Sequence, residues 1–332
     1  DDGDADPIYT GYVDESPLRA IGQGYHEYRF RGLWDKLAAV DMSTDVTLGS
    51  ESADHPTVNT IGLAVKWLLD NRIVPAAVGV SYSAGDVVSA TALAEKVIRQ
   101  DIYEPIRSMG VMAEAAGTPF AYGVDATGAF YFRAIPATVL ATLTVGANVS
   151  EGEERETPRP SNQIVLIGSV SPATCYQTRR FFRDAASIAA RGPSRPRPIS
   201  LGGTRFEADL LNFRDGYFNR YAAPAVAVQD VARVEATPGR IPRPWAGKLT
   251  YEDGPRGVVV TNYFSSVDVE WVTAPRCKFN LGLEGDDPSA DDGYTPGALG
   301  DVYNEGDGGD TNNTDYPDAS DGTDGTPGVD PP

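Results

Sequence analysis

Residues 204–235, TRFEADLLNFRDGYFNRYAAPAVAVQDVARVE, change period in mid-stretch. Phe206, Leu210, Phe213, Tyr217 and Tyr221 fall on one stripe of a helix predicted over 204–222, because side chains three and four residues apart share a helical face. Pro224 stops that helix. Val226–Glu235 then reads as a strand. Helix and strand in one short stretch, with many other short strands around it, predict an α+β fold.

Working towards the N-terminus, Asn162–Gly168 (NQIVLIG) reads as a strongly buried strand. Residues 150–160 (SEGEERETPRP) read as a charged, proline-containing loop, and Thr138–Thr144 as a further strand. Residues 119–133 (PFAYGVDATGAFYFR) predict a hairpin turning at Asp125–Gly128, with Phe130 and Phe132 on one face. In residues 86–107, Val87, Ala90, Leu93, Ala94, Val97, Ile98 and Ile102 recur at three and four, which predicts a helix with Asp86 as N-cap and Pro105 bending or ending it. Residues 57–70 predict a second helix, with Val58, Ile61, Ala64, Val65, Leu68 and Leu69 on one face, and Leu33–Val40 a short third. Trp34 and Leu37 are read as core packing. Residues 7–13 and 24–34 alternate and predict an antiparallel pair. Beyond the opening stretch, Lys248–Tyr251, Val258–Trp271 and Arg276–Leu283 read as strands.

The 332-residue chain has 47 acids against 28 Lys and Arg, a formal charge of −19. Four of the acids lie in residues 1–6 and thirteen in residues 286–332, and neither stretch has a base. Between them the body is nearly neutral. This weakens the reading of an acidic surface spread over the fold, and non-specific attraction of nucleic acid is disfavoured. No window approaches the ~20 apolar residues of a membrane helix, so no membrane span is expected. There is no initiator Met and no signal peptide, and the chain is read as starting within a longer protein. Residues 286–332, rich in Asp and Gly, are expected to stay disordered unless a partner holds them. Two cysteines, Cys175 and Cys277, exclude a disulfide framework; they leave room for one bridge, and the favoured reading is two buried thiols. Two histidines, His26 and His55, exclude a His-rich metal site.

Candidate chemistry is sparse. Gly79-Val-Ser-Tyr-Ser83 lacks the second glycine of a nucleophile elbow. Glu104 and Glu114 could form a carboxylate pair only by residue type, and are read as solvated helix-surface groups. Gly202-Gly203-Thr204 precedes a helix and could meet an anion, but reads as a plain N-cap by Thr204. Asp307–Asp310 and Asp318–Gly325 suggest calcium loops, without the bidentate Glu of an EF-hand. No cofactor is expected beyond that possibility of calcium in the acidic tail. Arg179, Arg180, Arg183, Arg191, Arg195 and Arg197 form the one basic cluster, with a single acid among them. Phe181, Phe182 and Tyr176 beside them would suit base stacking. The favoured reading is an inter-subunit interface with no specific nucleic acid.

Several pieces, in this order, resemble the baseplate-hub, or tail-tip hub, proteins of bacteriophage tails and contractile injection systems. They are Ile8–Val13 followed by Glu27–Leu37, the hairpin Asp125–Arg133, the strand Asn162–Gly168, and Asp184-Ala-Ala-Ser-Ile-Ala-Ala-Arg-Gly192. The helix Ala208–Pro224 with the strand Val226–Val234, and the closing pair within Tyr263–Leu283, complete the series. The resemblance implies barrel-like antiparallel β domains with an inserted helical domain. It divides the chain into a partial barrel segment (1–45), a helical α+β domain (46–135), a second barrel-like domain with one long helix (136–285) and the acidic tail (286–332). The family begins with strands before the first motif, where this chain has six residues, so a half-barrel is expected to be missing or donated by another chain.

The function implied is structural. A non-enzymatic homotrimer would serve as the adapter between tail tube and tip or spike, at the distal tail of the virion, bordering the path of genome ejection. Its partners would be itself, the tube or a distal tail protein, the spike or tip protein and the tape-measure protein. The alternatives are an extracellular carbohydrate-binding or adhesive β-protein and a tail-associated cell-wall lytic enzyme.

Overall fold

A computed structural model describes residues 11–15, 29–40, 42, 44–99, 102–125, 127–156, 161–170, 177–222, 226–234, 246–271 and 275–281. His26, Cys175, Tyr176, Pro224 and both Asp-rich runs of the tail lie outside them. No helix among the described residues is long and apolar enough to cross a membrane.

Strands β1 (Gly11–Glu15) and β2 (Arg29–Gly32) pair antiparallel, as the alternation predicts. A 3-10 segment (Leu33–Ala39) follows, burying Leu33 and Leu37. Strand β3 (Val46–Leu48) leads to helix α1 (Ile61–Leu68), which widens into a π turn over Leu69–Ile73. The Thr60 hydroxyl caps α1 by accepting from the Leu63 N–H.

The expected helix over 86–107 does not form. Asp86 lies in strand β4 (Ser81–Val87), and Lys96–Ile98 is strand β5, antiparallel to β3. Between them the backbone is tied to other segments: Ser89 O accepts from Gly62 N, Thr91 O from Ile61 N, and Leu93 N donates to Asn59 O. Apolar spacing of three and four fitted a helix, but long-range pairing overrode it. Helix α2 (Tyr103–Ala113) begins where that helix was to end, with Pro105 in its first turn. That position suits proline, because the first four helical N–H groups have no intrahelical partner.

Strands β6 (Phe120–Val124) and β7 (Ala129–Ala134) form the predicted hairpin, and β4 joins β7 in parallel. The Asp125 carboxylate accepts from the N–H groups of Thr127 and Ala129 at 2.8 and 3.0 Å, which sets the turn. Strand β8 (Val139–Thr144) follows. Residues 150–156, read as part of a charged loop, belong to strand β9 (Val149–Glu156), at the edge of a sheet beside β13. Edge strands commonly carry charge, so the glutamates hid a strand.

Strand β10 (Gln163–Val170) is flanked by antiparallel β11 (Gln177–Arg183) and parallel β12 (Arg197–Ser200), with helix α3 (Ala185–Arg191) between β11 and β12. Helix α4 spans Glu207–Tyr221. Strands β13 (Val226–Val234), β14 (Lys248–Asp253), β15 (Val258–Trp271) and β16 (Pro275–Leu281) end the described chain.

The architecture is α+β. Its largest sheet has the order β8-β14-β15-β16-β13-β9. The edge strands β8 and β9 are consecutive and meet at a bridge between Val145 and Val149, so the sheet curls without closing into a barrel. Most pairs are antiparallel, and three are parallel: β4–β7, β8–β14 and β10–β12. Parallel neighbours need long crossovers, and the intervening helices and strands supply them.

Buried side chains fall into two clusters. One runs from Leu33 to Ala222 and takes in α1, α2, α4, the β6–β7 hairpin and one face of the β10 sheet. The other lies on the inner face of the six-stranded sheet, with Leu143, Leu249, Tyr251, Phe264, Cys277, Phe279 and Leu281 at its centre. Along the chain the cluster members alternate: Leu33 to Phe132 belong to the first, Leu143 and Val149 to the second, Ile164 to Ala222 to the first again, and Leu249 to Leu281 to the second, so the chain passes between the clusters three times. The first core is therefore complete in sequence at Ala222, with β8 and β9 of the other body already passed, and the second core closes only with the strands after it.

Candidate functional site

The six cluster arginines sit on or beside the β11-β10-β12 sheet. Alternation on β10 sends Ile164 and Leu166 to the core, where α4 lies. Phe182 pairs with Ile164 in register and is fully buried. Two residues along the strand, on that same face, Arg180 reaches Glu207 in the first turn of α4 at 3.3 Å. Arg197 on β12 donates to the Tyr217 hydroxyl at 3.4 Å. These two arginines thus fasten the sheet to α4.

The others face elsewhere. Arg179 and Arg183 share the opposite face of β11 with Phe181, and Arg179 donates to Gln177 at 3.3 Å. Arg191 ends α3 and Arg195 lies in the following loop, both exposed. Phe182, offered as a stacking ring, is core. The Arg214 guanidinium stands 5.3 Å from its centroid.

What holds this corner is a residue the sequence reading missed. Asn162 is completely buried. Its side chain accepts from Ser194 N at 2.8 Å and donates to Gly192 O at 3.0 Å and Ser187 Oγ at 3.2 Å. Ser187 Oγ in turn donates to Ala222 O at 2.6 Å. One amide therefore fixes both ends of α3 and the end of α4. The only available signal was a polar residue opening an apolar run.

A second set of polar groups lies inside the first core. Lys96 is 1% exposed; its Nζ donates to Gly202 O at 2.8 Å and Thr204 Oγ1 at 3.1 Å. Burial lowers its pKa to about 8, partly offset by the charges of Glu104 and Asp209. The buried Asp209 carboxylate accepts from Ala94 N and Glu95 N at 2.9 and 2.8 Å. Glu95 is ion-paired with Arg205. Glu114, expected to be solvated, is 3% exposed and clasped by Arg220, and its carboxylate also accepts from Phe120 N at 2.9 Å. Burial pushes its carboxyl pKa up, and Arg220 and the Phe120 N–H pull it back.

These groups are engaged by backbone and countercharge, so they brace the fold and leave no carboxylate pair facing a substrate. Glu104 is exposed at the start of α2. Ser81 and Ser83 lie on edge strand β4, and Tyr82 between them donates to Asp70. His55 packs on Trp67, with ring centroids 4.8 Å apart. Thr204 is not the N-cap of α4; Phe206 occupies that place, and Thr204 accepts from Lys96 instead. The Gly203 and Thr204 amides donate to Ser169 Oγ and Leu201 O, so two of the three amides of the anion reading are already engaged. Among the described residues no group of three His, Cys, Asp or Glu side chains could hold a metal ion.

No protein-family model matches the chain, and a search of curated proteins returns no match. Solved structures do match in fold. A tail protein from Neisseria meningitidis aligns with a TM-score of 0.55 and 12% identity, over 84% of this chain and 81% of its own. A prophage MuSo2 tail protein from Shewanella oneidensis aligns at 0.46 and 12%, over 83% and 78%. A prophage tail protein from Listeria monocytogenes aligns at 0.45 and 10%, over 78% and 73%. The first likeness covers most of both chains and is one of fold.

Proposed function

We propose that the chain is a structural component of a bacteriophage tail or contractile-injection baseplate: a trimeric hub at the distal end, joining the tail tube to the tip or spike. The observation that carries the reading is the fold shared with the Neisseria meningitidis tail protein over four-fifths of each chain. The interior agrees with a mechanical role. Among the described residues, the buried charges of Lys96, Glu95, Glu114 and Asp209 are spent on bracing, as a body that transmits force requires. Edge strands β4, β8, β9 and β11 end their sheets, and β8 exposes Val139 and Leu140 at 47% and 36%. Pairing edges between subunits satisfies backbone groups and builds a ring. The outward arginines Arg179, Arg183, Arg191 and Arg195 suit the acidic rim of a neighbouring subunit or tail protein. Light scattering on the purified chain tests the reading: three chain masses and three-fold class averages by electron microscopy are expected, whereas a stable monomer at micromolar concentration contradicts it.

A further inference from the structure

Leu281, the last described residue, lies beside the arginine corner. Strand β16 runs antiparallel to β13 and ends at Leu281, in register with Val228. Val228 follows Ala222 by six residues, so at most about 20 Å of chain separates the two. The Ala222 carbonyl accepts from Ser187 of α3, and Asn162 binds Gly192 and Ser194 at the same corner. Arg191 and Arg195 flank those two residues and are exposed. Arg183 pairs in register with Gln163, next to Asn162. Strand β11, helix α3 and the loop after it thus gather three arginines round one buried amide.

The local charge is positive. Asp184, the one acid in residues 177–197, serves as the N-cap of α3, accepting from Ser187 N at 2.9 Å. Strand β9 brings Glu154 and Glu156 to the same end, opposite Val228 and Val226, with Arg155 between them. A guanidinium has five donors and stays charged. A hydrogen bond to a neutral group therefore leaves its attraction for an anion in place.

We infer that the acidic C-terminal segment, residues 286–332, docks on Arg183, Arg191 and Arg195 of its own chain. The segment has thirteen acids and no base. Asp286, Asp287, Asp291 and Asp292 follow within eleven residues of Leu281, about 35 Å of extended chain, which spans the distance to the corner. Carboxylate on guanidinium makes the stronger, charge-assisted kind of hydrogen bond. A nucleic-acid backbone has the same sign, but it arrives from solution, whereas a tethered segment is present at an effective concentration of about millimolar. The inference does not rest on the hub reading. A neighbouring subunit with an acidic rim would compete with the segment for the same side chains.

Modification of arginines by phenylglyoxal, mapped by mass spectrometry on the full chain, tests it. The comparison is a variant with the twelve Asp of residues 286–332 changed to Asn and Glu305→Gln, which keeps the length and removes the charge. Arg183, Arg191 and Arg195 should react about threefold faster in the variant, as a segment docked for roughly two-thirds of the time requires. Arg99, just after β5 and 66% exposed, is the reference and should react equally in both. Protection in the wild type should survive about tenfold dilution, because the segment is tethered. It should disappear in about 1 M salt, where the screening length falls to about 3 Å. Equal rates at the three arginines in both chains, or protection lost on dilution, would overturn the docking. Equal rates that are slow beside Arg99 would assign the corner to a neighbouring subunit and leave the hub reading intact.

Discussion

Glu114 and Arg220 lie 106 residues apart in sequence and meet in the core. Breaking a buried pair leaves one charge without its countercharge, a loss of about 3–5 kcal/mol. Arg220→Ala should therefore lower unfolding free energy by that amount in urea titration, and a loss below about 1 kcal/mol would match an exposed pair instead. Lys96 makes a pH prediction. Its folded pKa is about 8 against an ordinary 10.5. Below about 8 both folded and unfolded chains carry the ammonium, and folding bears the full cost of burying it. Between those values the unfolded chain holds a proton that the folded chain has released, so stability rises with pH. The difference in unfolding free energy between wild type and Lys96→Met should grow by about 2–4 kcal/mol from pH 8 to 10.5. A flat difference would mean that Lys96 is solvated. Neither pairing was legible in the sequence. Glu114 looked like any helix-surface carboxylate, because periodicity reports which face a residue takes and not what lies opposite.

Elements were legible where local signals and tertiary contacts agreed. The β6–β7 hairpin was read correctly, because the Asp125 turn is chosen by residues within four positions of it. The α4 stripe held as well: Leu210, Phe213 and Tyr217 are buried. Phe206, first in that stripe, is the N-cap and 38% exposed. Failure came at 86–107, where the partners that fix the chain lie far away, around Gly203 and Asp209. Asp209→Asn keeps one acceptor for two backbone donors, and should cost about 1–3 kcal/mol by leaving an N–H unsatisfied. The α2–α4 contact gives a second prediction at this scale. Gly216 in α4 faces the backbone of Val111 and Ala115, and an added Cβ would collide with the Val111 carbonyl. Alanine would gain about 1 kcal/mol of helix propensity, but overpacking costs about 1–3 kcal/mol and backbone cannot move aside as a side chain can. Gly216→Ala should lower the melting temperature; a rise would show that the helices separate freely.

At the scale of the whole molecule, two cores share one chain that crosses between them three times. Local periodicity contains no record of those crossings. The helical and strand segments could be read one by one, but the return of 161–222 to the first core could not. The charge of −19 belongs mainly to the two ends, and the body between them is nearly neutral. The central claim is that this body is part of a tail. Gold-labelled antibody against the chain, applied to intact tail particles purified from cells that make it, addresses that claim directly. Electron microscopy should show gold at the distal end of each tail. Gold spread along the tube, or confined to material not assembled into particles, would contradict the account.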